Sequence, residues 1–255
     1  MRHPRVANLQ VRDVFSNALR LYRAEPVRVS VSALILLAPG LVMGVGTGAF
    51  IDRIQDETLS GKIVVAVIIA VIAGVIGTLG TVFYAGVLDE LVGAVIRGQE
   101  PPALGPAIRA LPLWRLIGAD LVVTFIVGVA SSVLIAPGFI LLTMLSTVGP
   151  IVNIEHRKIF PSIKRAISLT FPHLWLTMMT IGLPLGIEFA ADHYFLHLEG
   201  NAGLIVEFLV SVPLILTVGV LVGLTEVVLA YALLARDPDS SVAAMVASSL
   251  EQTSS

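Results

Sequence analysis

The sequence predicts an all-α, polytopic membrane protein: six transmembrane helices and three amphipathic interfacial helices, arranged as three helix-plus-hairpin repeats. Three observations predict it. First, the 255 residues are 56% hydrophobic and only 13% charged, with a mean hydropathy of +0.93. Soluble domains carry roughly 25% charged residues, so this chain has too little polar surface to face water, and the bilayer is its solvent. Second, the apolar residues fall in long continuous runs, without the alternation over about 10 residues that a membrane barrel strand needs. Third, one unit occurs three times: a short basic amphipathic stretch, a proline, then two apolar spans.

The first stretch, Val11–Glu25, puts Val14, Phe15, Ala18, Leu19 and Tyr22 on one helical face and Arg12, Asp13, Asn17, Arg20 and Arg23 on the other. Such helices lie in the membrane interface with their basic groups near anionic headgroups. Pro26 then ends the interfacial helix and lets the chain turn into the bilayer. Met1–Glu25 lacks the brief apolar core of a secretory signal, so the first span is expected to stay in the mature protein.

Six spans follow from the requirement of about 20 apolar residues per crossing. They are Val29–Phe50, Ile63–Leu88, Leu113–Ala136, Phe139–Ile154, Leu174–Tyr194 and Gly203–Leu234. Gly40, Gly44 and Gly48 recur in the first span, and Gly74, Gly77 and Gly80 in the second. Small residues on one face let helix backbones approach closely, so packing of these two spans is expected; a glycine-lined ligand path is the alternative. The second and third amphipathic stretches, Leu104–Leu111 and Ile159–Phe171, end at Pro112 and Pro172. Trp114 and Trp175 follow at once, where an indole suits headgroup depth. Pro137-Gly138 separates the third and fourth spans as a tight hairpin. No span reads as broken near its middle except at Pro39, Pro184 and Pro213. The repeats are expected over residues 11–97, 103–154 and 159–235, within one membrane domain (1–236) followed by a flexible cytoplasmic tail (237–255).

Charge orients the chain. Of its 16 Lys and Arg, 14 fall on the side of the amphipathic stretches; only Arg53 and Lys62 fall on the other. Positive charge stays cytoplasmic, and an even span count puts both termini there. A net charge of −2 gives no reason to expect nucleic acid. The expected partners are membrane lipids, anionic at the cytoplasmic leaflet, with a second copy of the chain or another membrane protein as further candidates.

Asp89, Glu90, Asp120, Glu155 and Glu226 fall near the inner ends of their spans. A carboxylate in hydrocarbon is costly and is a functional candidate by default. Together these residues suit a cavity open to the cytoplasm that takes a cation, a proton or an amine headgroup. Alternatively, the spans end sooner and the acids pair with Arg97, Arg115, Arg157 or Arg165. On the opposite side, His193 and His197 are four apart with Asp192 beside them, a weak zinc candidate; the glutamate of the zinc-protease helix is missing. Cysteine is absent, which excludes thiolate metal sites and a cysteine nucleophile. No nucleophile elbow or phosphate-binding glycine loop occurs, so no cofactor is expected.

Val14-Phe15-Ser16-Asn17-Ala18-Leu19-Arg20-Leu21-Tyr22-Arg23 resembles the opening helix of the membrane-domain family found attached to some bacterial glycerophosphoryl diester phosphodiesterases and also as stand-alone six-span proteins. The run from Pro137-Gly138 through Pro150 and Glu155 to Arg165-Ala166-Ile167-Ser168-Leu169-Thr170 and Trp175 resembles that family too, as does Tyr231 to Arg236. Ala166 stands where serine is usual and Pro172 where glycine is usual. The resemblance implies a bacterial inner-membrane protein and points at Glu155 and Arg165; it does not extend to the phosphodiesterase catalytic domain, so hydrolysis is not implied. The expected function is a non-enzymatic membrane module supporting lipid or envelope processes, or a partner complex, at the inner leaflet. A small transporter or lipid-handling protein using the acidic cavity is the alternative, and an intramembrane enzyme comes third.

Overall fold

The computed structural model describes residues 9–54, 60–187, 213 and 215–243. These residues form helices and no strand. In chain order the helices are α1 (Val11–Ala24), α2 (Pro26–Ile54), α3 (Ser60–Ile96), α4 (Leu104–Ala110), α5 (Leu113–Val133), α6 (Ile135–Leu145), α7 (Val148–Glu155), α8 (Ile159–Thr170), α9 (Leu174–Thr177) and α10 (Val220–Leu234). A 3₁₀ turn (Phe171–His173) joins α8 to α9, and π-helical turns (Met178–Gly182 and Ile215–Gly219) follow α9 and precede α10. Among the described residues, five stretches are long and apolar enough to cross a membrane: Val71–Ile96, Leu113–Val133, Ala136–Glu155, Ile159–Ile187 and Thr217–Leu234. A shorter apolar stretch, Pro26–Gly40, opens α2. The chain is thus a polytopic helical membrane protein.

The last span is the centre of the molecule. Leu224, Val227, Leu229 and Leu234 of α10 are fully buried, and α10 touches α1, α2, α3, α7 and α8. A helix apolar on every side belongs inside a bundle. By contrast, α5 is a peripheral span. Its Leu121, Phe125, Val129 and Val133 are exposed at four-residue intervals, a stripe suited to lipid.

The amphipathic helices are held by protein as well as by any interface. Val14 and Ala18 of α1 are completely buried, mainly against α10. Ile163, Ala166 and Thr170 of α8 are buried against α5, α6 and α7. Exposed aromatics mark the same end of the molecule: Trp114 is 87% exposed and Trp175 73%, with Phe160 and Phe171 also exposed.

The proline-marked breaks differ from the sequence expectation in three places. The α5–α6 turn comes at Leu134, whose backbone is extended, so Pro137 and Gly138 sit within α6. Proline fits the first turn of a helix because its missing N–H needs no partner there. A methyl group at Gly138 would lie 2.7 Å from the Ser131 Cα, so glycine is what allows α5 and α6 to approach. Pro172 does not end the third amphipathic helix: it sits in the single 3₁₀ turn that carries α8 onward into the fifth span. Finally, the fourth span is interrupted at Ser146-Thr147, between α6 and α7. Pro150 has no N–H for the Ser146 carbonyl, so the helical ladder opens there. Past α10, the expected flexible tail is docked over its first residues, with Ser240 and Val242 buried.

Candidate functional site

The inner ends of α3, α5, α7 and α10 meet at the end of the molecule that carries the amphipathic helices, here called the basic end. Arg115 Nη1 of α5 donates to the His156 carbonyl beyond α7 at 2.9 Å, and Arg28 Nη1 of α2 to the Pro101 carbonyl at 3.1 Å. His156 caps α7 in the left-handed region (φ 51°), a conformation that commonly ends helices.

Between these helices lies a cavity of about 700 Å³, within the range of small-molecule sites. Its walls are apolar for most of its length, with Leu116, Val123, Leu145 and Val222 among them. Among the described residues its charged members are Asp89, Asp120 and Glu226, with no Lys, Arg or His. Asp89 and Asp120 each stand seven positions inside the basic ends of their helices, and Glu226 eight. At 1.5 Å per residue all three fall about 10–12 Å deep. From Asp89 the cavity extends along α3 to Gly77, about 18 Å further on the same rise.

Asn153 of α7 closes the acidic layer. Its amide nitrogen donates to Asp89 Oδ2 across the α3–α7 contact, the Tyr231 hydroxyl is a further hydrogen-bond partner of that carboxylate, and Arg97 lies within electrostatic reach of it. Three polar atoms on the wall, Asp89 Oδ1, Asn153 Oδ1 and Tyr84 Oη, are buried without a hydrogen-bond partner. Buried polar groups are satisfied in the great majority of cases, so three together in one wall suit a polar occupant. The α6–α7 interruption adds Ser146, Gly149 and Pro150 to the lining.

The sequence-predicted acids separate into two groups. Glu155 is paired: Arg157 Nε stands 2.6 Å from it and Arg165 Nη2 3.4 Å. Arg165 also reaches Asp237 with its Nη1 at 2.5 Å, tying α7 and α8 to the segment after α10. This cluster lies outside the cavity lining, as does the half-buried Glu90. Asp120 and Glu226 line the cavity together with Asp89. The arginines weighed as partners for these acids have other contacts as well: Arg115 on a carbonyl, Arg157 and Arg165 on Glu155, and Arg97 on Gln99 at 3.0 Å.

Gly40 and Gly77 meet where α2 crosses α3. A methyl group at Gly40 would lie 2.5 Å from the Gly77 Cα. Both also line the outer part of the cavity, so the packing and ligand-path readings meet at this pair. The side chains at positions 44, 48 and 74, and the zinc candidates His193, His197 and Asp192, lie outside the described residues. Among the described residues no group of three metal-ligating side chains gathers. Reasoning from sequence missed Asn153, Tyr84 and the interruption at Ser146-Thr147. Pro150 was the available signal for the last; nothing local marks the other two, because tertiary packing makes them cavity residues.

Compared with models of known protein families, with curated proteins and with solved structures, the chain matches none.

Proposed function

We propose that this chain is a non-enzymatic, lipid-handling protein of a bacterial cytoplasmic membrane, with both termini cytoplasmic, that holds an amphiphile in the cavity at its basic end. The observation that carries this reading is the wall itself: among the described residues, three carboxylates and three buried polar atoms without a hydrogen-bond partner, set among apolar side chains. A module acting only through its cytoplasmic surface has no use for carboxylates at that depth, each of which costs several kcal/mol to bury in hydrocarbon. The sequence alternative of an acid-lined, lipid-handling cavity is therefore favoured over a pure scaffold. The basic amphipathic helices and exposed aromatics suit anionic lipid at the same leaflet. The likeness to the phosphodiesterase membrane domains stands as a proposal beside this one, supported by the pairing of Glu155 with Arg165.

Native mass spectrometry of the protein extracted from its own membrane tests the reading. Wild type is expected to carry an adduct of lipid-like mass. Thr124→Trp, a change at an exposed cavity-lining position, is expected to cut its occupancy at least tenfold. A bare wild type, or equal occupancy in both, contradicts cavity binding.

A further inference from the structure

Resting on the amphiphile-binding reading, we propose that the occupant's head is an uncharged polyol, several hydroxyls on an apolar body, held by Tyr84, Ser146 and Asn153 of the cavity wall. Hydrogen-bonding capacity, not charge, is what this wall leaves open. The Asn153 amide and the Tyr231 hydroxyl bond to the Asp89 carboxylate, and Arg97 lies within electrostatic reach of it. Glu226 likewise has an interaction within the protein. Three groups on the lining keep unused capacity. Asn153 Oδ1 is an acceptor without a hydrogen-bond partner, on a residue only 5% exposed. Ser146 donates its O–H to the Thr143 carbonyl at 3.0 Å, so its oxygen is left to accept. Tyr84 Oη, on a residue 3% exposed, has no hydrogen-bond partner in either role.

A head that complements such a wall must both donate and accept. A phosphate, sulfonate or carboxylate brings acceptors only, and its charge is repelled by the carboxylates on the same lining. A quaternary ammonium has no N–H to give. A primary ammonium donates to Asn153 and Ser146 but offers no acceptor for the Tyr84 hydroxyl proton. A hydroxyl does both. Spacing asks for more than one of them. Tyr84 stands five positions before Asp89, the partner of Asn153, which is about 7–8 Å along α3. Several hydroxyls on one head serve both places at once. Leu37, Val123 and Val127 line the same cavity and give the hydrocarbon part of the occupant an apolar wall. A glyceride and a glycolipid both satisfy this chemistry.

Equilibrium binding to the full chain in phosphatidylcholine nanodiscs tests it, because that headgroup carries no hydrogen-bond donor; partition into empty discs is subtracted. The probes share one chain length: an alkyl glucoside, its permethylated form and the primary alkyl amine. The glucoside is expected to bind about tenfold tighter than either of the others, the worth of one or two net hydrogen bonds. Tyr84→Phe and Ser146→Ala are each expected to weaken the glucoside about threefold or more and to leave the permethylated form unchanged, so that probe doubles as the control for folding. An alkyl glycerol ether of the same length separates the sources: tighter binding than the glucoside identifies a glyceride, weaker binding a glycolipid, and both keep the polyol class. Equal binding of the glucoside and its permethylated form overturns that class while leaving an amphiphile cavity whose wall is completed by water. An amine that outbinds the glucoside overturns it in favour of a cation. Glucoside binding untouched by both substitutions overturns the assignment of these residues to the head. Binding of no probe overturns the amphiphile reading as well.

Discussion

At the scale of single residues, the acids near the inner ends of the spans serve two different purposes, and burial decides which. Glu155 has a side chain only 5% exposed but two guanidiniums beside it, so its charge is compensated within the protein. Asp89 has neutral hydrogen-bond partners, the Asn153 amide and the Tyr231 hydroxyl. Losing a buried hydrogen-bond partner costs about 1–3 kcal/mol. Asn153→Ala is therefore expected to lower thermal stability in detergent by a few degrees. In a double-mutant cycle with Asp89→Ala, the paired loss should fall short of the sum of the single losses. Strict additivity would show that the bond contributes nothing. Sequence reasoning could find these acids, because a charged residue inside an apolar run is conspicuous. It could not divide them, because Glu155 meets Arg165 ten positions away and Asp89 meets Asn153 sixty-four away.

At the scale of elements, close approach and interruption shape the cavity. Glycines at positions 40 and 77 bring α2 and α3 together, with no room for a side chain at position 40. Gly40→Val is expected to cost about 1–3 kcal/mol through overpacking, read as a lower unfolding temperature in detergent; an unchanged temperature would mean that the two helices do not meet there. The glycine spacing was legible in the sequence because small residues at helical intervals leave a visible pattern. The interruption at Ser146-Thr147 was not, since Pro137-Gly138 offered a stronger local signal and Pro150 acts on a carbonyl four residues before it. The outcome at Pro172 has the same origin: a proline in a 3₁₀ turn sacrifices little, so helix and span continue through it.

At the scale of the whole molecule, composition alone established the solvent, and apolar runs established most of the spans. What composition could not reveal is that the last span is the hub and the third a peripheral wall; both depend on which faces find partners. The chain's lack of cysteine makes its orientation directly testable. A single cysteine at Gln99, exposed at the basic end, should react with an impermeant thiol reagent only after cells are opened, and one at Leu134, exposed at the opposite end, in intact cells; the reverse pattern would overturn the cytoplasmic assignment. The central claim is that the space between α3, α5, α7 and α10 is a binding site. The most direct measurement is a structure of the protein in nanodiscs made from its native lipids. Elongated non-protein density within that space, reaching Asp120 and Glu226, is the predicted result. A collapsed cavity, with no density between the helices, would contradict it.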